Sequence, residues 1–262
     1  MINHLELRDV ALECVANVTS SIDIQSANQR RANFEKKSSS SDYITSLDRH
    51  IELETVEFIR KSRANDGILG EEGAAKSGTT GIRWIIDPLD GTSNFVYGIP
   101  YFSISIAVEV EGDVVAGVVA DLSTNDTFDA VKGHGSRCNN EIIKVNDNDS
   151  LQSAIVTTGF SYKAARRELQ GSMLQHILPR IGDIRRFGSA ALDLCWLAAG
   201  RADAFYEEGL NLWDYAAGSL IVSEAGGTVR TINLTKDIKL LTATNAHLDK
   251  EFQILLNNSL QH

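Results

Sequence analysis

Residues 84–95 read WIIDPLDGTSNF. Trp84, Ile85 and Ile86 form a strand-like apolar run that closes on two carboxylates, Asp87 and Asp90, with Pro88 between them and Gly91 just after. A turn needs only one such acid. Two acids held close together repel unless a cation sits between them. What the rest of the chain brings to the same place decides how the stretch is read.

Upstream, Leu5, Leu7, Val10, Ala11, Val15, Val18 and Ile22 recur at helical spacing and predict a helix over 4–25. Ser46 is placed to cap a second helix over 46–63, with Ile51, Leu53, Val56 and Ile59 as its apolar stripe. From 82 to about 145 the runs IRWIID, YFSISIAVEVEG, DVVAGVVAD, TFDAVKG and EIIKV are β-rich, and Glu111-Gly112-Asp113 marks a hairpin turn. Helices followed by an antiparallel sheet make an α+β half. After the cluster NDNDS (146–150), strands and helices alternate. Strands are expected at 153–159, DIRRF, ADAFYEE, GTVRTI and KLLTAT, and helices at 163–179, 189–199, 213–225 and 246–257. That alternation makes an α/β half. The expected organisation is an N-terminal α+β half spanning residues 1–147 and a C-terminal α/β half spanning residues 148–262.

The 262 residues carry 35 acids against 25 Lys and Arg, a formal net charge of −10. Such a chain is a poor autonomous binder of nucleic acid or of an anionic membrane. No apolar run reaches the length of a membrane span. The N-terminus has no basic n-region, so no signal peptide is expected. Cys14, Cys138 and Cys195 fit neither a zinc site nor a disulfide framework and read as reduced thiols of a cytoplasmic protein. The six histidines are scattered, which gives no support to a phosphohistidine mechanism.

Three acidic motifs stand out: Gly70-Glu71-Glu72-Gly73, Asp87-Pro88-Leu89-Asp90-Gly91-Thr92, and Trp213-Asp214 at a helix start. Each alone reads as a solvated turn or a cap. Together, hard oxygen donors without His or Cys are what magnesium prefers. Magnesium would also let an acidic protein hold an acidic phosphate ester, by bridging carboxylate and phosphate. Gly91 allows close approach of the backbone, and Gly91 and Thr92 head a turn whose N–H groups suit phosphate. The Thr92 hydroxyl is placed to orient an attacking water.

GEEG, WIIDPLDGTSNF and WDYAAGSLIVSEAGG, in that order, resemble the inositol monophosphatase family of lithium-sensitive, magnesium-dependent phosphatases, bacterial members most closely. The similarity extends to KSSSSDYITSLD (37–48) and to RRFGSAALDLCWLAAGRADAFYE. The resemblance implies layers alternating α-β-α-β-α and two or three Mg2+ ions held by Glu71, Asp87, the Leu89 carbonyl, Asp90 and Asp214. It implies that Glu71 and Thr92 position the nucleophilic water, with Asp48 beside Thr92. Asp90, Gly91, Thr92 and Asp214 would meet the substrate. Gly188, Ser189, Ala190 and Glu207 would contact its sugar-alcohol portion, and Glu72 would stand behind the metal ligands. It further implies hydrolysis of myo-inositol 1-phosphate and a homodimer. Ser93 and Tyr97 depart from the usual Thr and His, and neither is a ligand position.

The metal motifs leave open fructose 1,6-bisphosphatase and histidinol-phosphate phosphatase on the same scaffold. A protein-binding role in a transcription complex, known for some bacterial relatives, is a reading from another class. Lys163 is a candidate to reach a substrate phosphate, and Arg185 and Arg186, before Gly188, read either as solvent or structural ion pairs or as residues of a subunit interface or the site rim.

Overall fold

The strand that carries the opening motif lies inside an eight-stranded sheet. The computed structural model describes residues 2–22, 34–36, 43–236 and 238–260. In chain order, α1 (His4–Ser21), β1 (Phe34–Lys36), β2 (Tyr43–Thr45) and α2 (Ser46–Ser62) lead into β3 (Gly67–Gly70), β4 (Ala75–Lys76) and β5 (Ile82–Asp90). Then come α3 (Thr92–Tyr97), β6 (Ser103–Val110), β7 (Asp113–Asp121), β8 (Thr127–Val131), β9 (Ser136–Cys138) and β10 (Glu141–Ile143). The first sheet runs β10-β9-β8-β7-β6-β5-β3-β4, with every pair antiparallel except β3 with β5. The short strand β3 escapes the sequence pattern, and it is this strand that makes the sheet mixed.

The second half supplies β11 (Ile155–Thr158), α4 (Ala164–Ile177), β12 (Asp183–Arg185), α5 (Ala190–Ala198), β13 (Ala204–Glu208), α6 (Leu212–Glu224), β14 (Thr228–Asn233), β15 (Lys239–Thr244) and α7 (Asp249–Ser259). Its five strands are ordered β12-β11-β13-β15-β14. The NDNDS stretch is stitched down: Asn245 Nδ2 donates to Asn146 Oδ1 (2.7 Å) and to the Asn148 carbonyl (2.8 Å).

Alternation along the strands sorts side chains into layers. Trp84, Ile86, Ile104, Ile106 and Val118 pack with Leu7, Val15, Ile51 and Ile59 of α1 and α2. Ile85, Ala107 and Val119 point the other way, onto Leu194, Ala217 and Ile221 of α5 and α6. On the far side of the second sheet, Val156, Ala204 and Leu240 meet Met173, Phe252 and Leu256 of α4 and α7. The result is the expected α-β-α-β-α stack. Both faces of the first sheet are covered, so β5 and β6 are buried along nearly their whole length.

The first two helices differ from expectation at one end each. α1 ends at Ser21, and the expected residues 23–25 lie outside the described ones, as do residues 37–42 of the KSSSSDYITSLD stretch. Thr45, not Ser46, caps α2, because Thr45 has the extended backbone that a cap needs and closes a capping box with Asp48. Among the described residues no helix is long and apolar enough to cross a membrane. All three cysteines are unpaired, Cys14 and Cys195 being buried.

The loop before β3 is fixed by the buried Asp66, which accepts hydrogen bonds from Trp84 Nε1 (3.0 Å), Thr80 Oγ1 (2.7 Å) and Arg63 Nε (2.9 Å). Burial by itself would raise this carboxyl, but the three donors outweigh burial and hold it below the usual range. Its stabilisation is therefore complete above the unfolded carboxylate value, about pH 4, and fades as pH falls through the lower folded value. Asp66→Ala strands the fully buried Trp84 N–H, at an expected cost of about 1–3 kcal/mol. Urea denaturation at pH 7 should show the deficit, and it should narrow toward pH 3.

Candidate functional site

At Pro88 the ladder between β5 and β6 breaks. Asp87 faces Ser105 and Asp90 faces Ser103, so three steps on β5 match two on β6. Proline has no N–H for the ladder, and a bulge of this kind re-aims side chains. In a regular strand, residues three apart point to opposite faces. Here Asp87 and Asp90 line the same cavity. The parallel neighbour β3 aligns Gly70 with Ile86, and the Glu71 N–H donates to the Ile86 carbonyl (3.2 Å). Glu71 thereby arrives beside Asp87.

Gly91 follows with φ +90°, where a Cβ would stand 2.9 Å from the Tyr101 carbonyl oxygen. Only glycine fits that close, left-handed position. Thr92 Oγ1 lies 2.8 Å from Asp48 Oδ1 and 2.8 Å from the Leu89 carbonyl oxygen. Asp48 is itself fixed through Oδ2, which accepts from the Thr45 N–H (2.8 Å) and hydroxyl (2.5 Å). Burial, partly offset by these donors, raises the Asp48 carboxyl.

The second half closes the cavity. Asp90 Oδ2 rests on the start of α5, accepting from the Ser189 hydroxyl (2.7 Å) and the Ala191 N–H (2.7 Å). Asp214, third residue of α6, accepts from the Asn211 N–H through Oδ2 (2.6 Å) and lines the same wall. The cavity measures about 650 Å³ and is lined by Glu71, Asp87, Leu89, Asp90, Gly91 and Thr92 on one side. Gly188, Ala190, Glu207 and Asp214 complete it. Ser189 lies just behind, buried and bonded to Asp90. Glu72 does not line the cavity. No described histidine lines it either.

Burial raises Asp87 well above the usual carboxylate range, and the charges of Glu71, Asp90 and Asp214 add to it. Burial likewise raises Asp214, with Asp90 next. Asp90 is pushed up to about 6, burial outweighing its bonds to Ser189 and Ala191. Glu207 is pushed up to about 8 by burial, against the opposing charge of Arg186.

Among the described residues no three or more His, Cys, Asp or Glu side chains are gathered closely enough to hold a metal ion as they stand. The donor chemistry nonetheless fits magnesium. Of the six acids that line the cavity, Glu71, Asp87, Asp90 and Asp214, with the Leu89 carbonyl, are hard oxygens whose mutual repulsion a divalent cation relieves.

The structure adds wall residues with no sequence signal of their own, among them Phe160, Leu210 and Ile238. Lys163 and Arg186 do line the cavity, whereas Arg185 does not. Arg166 of α4 donates to both Glu208 carboxylate oxygens, from Nε to Oε1 at 2.9 Å and from Nη2 to Oε2. This pairing neutralises Glu208 and sets it apart from its neighbour Glu207. Forty-two residues separate the partners, so no local pattern could reveal the pair.

A model of the inositol monophosphatase family matches residues 4–260. The chain is 46% identical over 197 residues to the Nus factor SuhB of Pasteurella multocida, covering 74% of each chain. It is 43% identical over 202 residues to the inositol-1-monophosphatase of Mycobacterium bovis, covering 74% of this chain and 70% of that one. The crystal structure of the extragenic suppressor protein suhB from Bartonella henselae superposes with a TM-score of 0.88 at 32% identity, covering 96% of this chain and 98% of that one.

Proposed function

The chain belongs to the inositol monophosphatase family, and from that premise we propose that this phosphatase hydrolyses myo-inositol 1-phosphate to inositol and phosphate with Mg2+ as cofactor. The observation that carries the reading is the meeting of Glu71, Asp87, Leu89, Asp90 and Asp214 on one cavity whose walls include the Gly91-Thr92 turn. Those five residues would hold two or three ions. When bound there, magnesium supplies charge neutralisation for the phosphate, polarises its oxygens and acidifies the attacking water.

The chain's own groups do the rest. Thr92, donating its proton to Asp48, turns oxygen lone pairs toward the water, and Glu71 takes the water's proton. The bulge at Pro88 and the start of α5 hold Asp87 and Asp90 in place. Gly188, Ala190 and Glu207 receive the polyol, while Ser189, expected beside them, sits behind the wall and holds Asp90. No side-chain nucleophile is needed. The proposed division of labour gives the N-terminal half, residues 1–147, most of the metal contacts. The C-terminal half, residues 148–262, supplies the polyol contacts and Asp214. A cytoplasmic homodimer is proposed from the resemblance alone.

A panel of phosphate esters tests the substrate. Inositol 1-phosphate should exceed fructose 1,6-bisphosphate and histidinol phosphate in kcat/KM, and lithium should inhibit. A reversed order would move the assignment to one of those esters, and indifference to high lithium would count against close kinship in mechanism. The Pasteurella relative is named a Nus factor, which supports a second reading: a scaffold in a transcription complex. A metal-site variant that keeps the cellular phenotype would favour it.

A further inference from the structure

Asp48 and Glu52 stand one helical turn apart on α2, and both are buried, at 1% and 6% exposure. Asp48 holds Thr92. Glu52 holds a different segment of the site. Its Oε2 accepts the Glu72 N–H (2.9 Å) and its Oε1 accepts the Ala74 N–H (3.0 Å). Both oxygens are thus engaged by the backbone of the turn that carries Glu71. The turn is closed on the other side by the Gly70 N–H, which donates to the Ala74 carbonyl (2.6 Å). Gly70 takes part in the same contact. A Cβ there would stand 2.2 Å from Glu52 Oε2 and 2.8 Å from its carboxyl carbon. The first glycine of the GEEG motif is therefore explained by the approach of Glu52, not by turn geometry.

We propose that Glu52 is a positioning residue for the reaction: it clamps the Glu71–Ala74 turn so that Glu71 stays beside Asp87 on the cavity wall. With Asp48, it makes one face of α2 the common support for Glu71 and Thr92, the two groups that handle the water. The inference rests on the phosphatase reading above. A carboxylate accepts two N–H donors at once, whereas a glutamine turns a donor toward one of them. The turn would then move at one end, carrying Glu71 with it, while the polyol side of the cavity stays in place.

The test is Glu52→Gln, studied by inositol 1-phosphate kinetics over a magnesium series and by thermal melts with and without magnesium. Groups that orient metal-site residues typically influence metal affinity by about 10- to 100-fold. The expected result is a magnesium half-saturation raised about tenfold, a kcat lowered about tenfold and a KM for the ester changed less than about threefold. The magnesium-induced rise in melting temperature should shrink accordingly. Gly70→Ala, which pushes on the same contact from the opposite side, should give the same signature if Glu52→Gln fails to fold. Asp66→Ala serves as the control for plain destabilisation, with a lower melting temperature and an unchanged magnesium half-saturation. Glu52→Gln and Gly70→Ala with lowered melting temperatures but wild-type magnesium dependence and kcat would make the clamp merely structural and overturn the proposal. If the wild-type protein neither hydrolyses the ester nor responds to magnesium, the phosphatase reading itself falls, and the positioning role with it.

Discussion

Asp87→Asn is expected to lower kcat by about a thousandfold or more, roughly 4 kcal/mol of lost transition-state stabilisation, while the protein still folds. Asp87 is 1% exposed at the end of β5, with one oxygen accepting the Leu89 N–H at 3.1 Å. An amide keeps that hydrogen bond and the side-chain volume. It loses the charge and the ligand strength that magnesium requires. It also removes one of four carboxylates that repel one another around the cavity, so the metal-free variant should melt no lower than the metal-free wild type. Phosphate release and thermal melts in chelator check the two halves of this expectation. Near-normal activity would show that Asp87 is no essential ligand. A collapsed fold would show that its role is structural.

Above pH 8, where the Glu207 carboxyl that burial pushes up to about 8 is ionised, Glu207→Gln should cost about 10- to 150-fold in kcat/KM on inositol 1-phosphate, the loss of a charge-assisted hydrogen bond worth roughly 1.5–3 kcal/mol. It should leave p-nitrophenyl phosphate, which has no polyol hydroxyls, nearly untouched. Glu207 lines the same cavity as Glu71, Asp87, Asp90 and Asp214. Its carboxylate lies across Gly159, where any Cβ would come within 2.1 Å of it. Beside it, Glu208 is committed to Arg166, so the two adjacent acids have separate tasks. Comparing the two esters decides the role. Equal loss on both would assign Glu207 to metal binding or folding, and no loss on either would remove it from the substrate site.

The two halves were legible because their signals are local. Helical spacing marks α1 and α2, β-rich runs between turn residues mark the first sheet, and the alternation after residue 150 marks the second half, whereas the layering came from the resemblance. The acidic motifs were legible as motifs. Their meeting was implied by the resemblance and not by their spacing, because it depends on long-range geometry. The bulge at Pro88 turns Asp87 and Asp90 to one side, and the parallel pairing of β3 with β5 carries Glu71 next to them. β3 has only four residues, two of them glycine, too little for a periodicity. Thr45 and Ser46 are adjacent hydroxyls, and only the backbone angles decide which one caps α2. Glu52 reads in sequence as an ordinary helix acid. Its contact with the Glu71 turn lies about 20 residues away and has no composition signature.

The central claim is that an acidic cavity becomes a phosphatase site by holding magnesium. Phosphate release from myo-inositol 1-phosphate, measured after exhaustive chelation and again after magnesium is restored, tests it most directly. The expected result is no activity above background in chelator and full recovery on adding magnesium. Undiminished hydrolysis in excess chelator would contradict the claim.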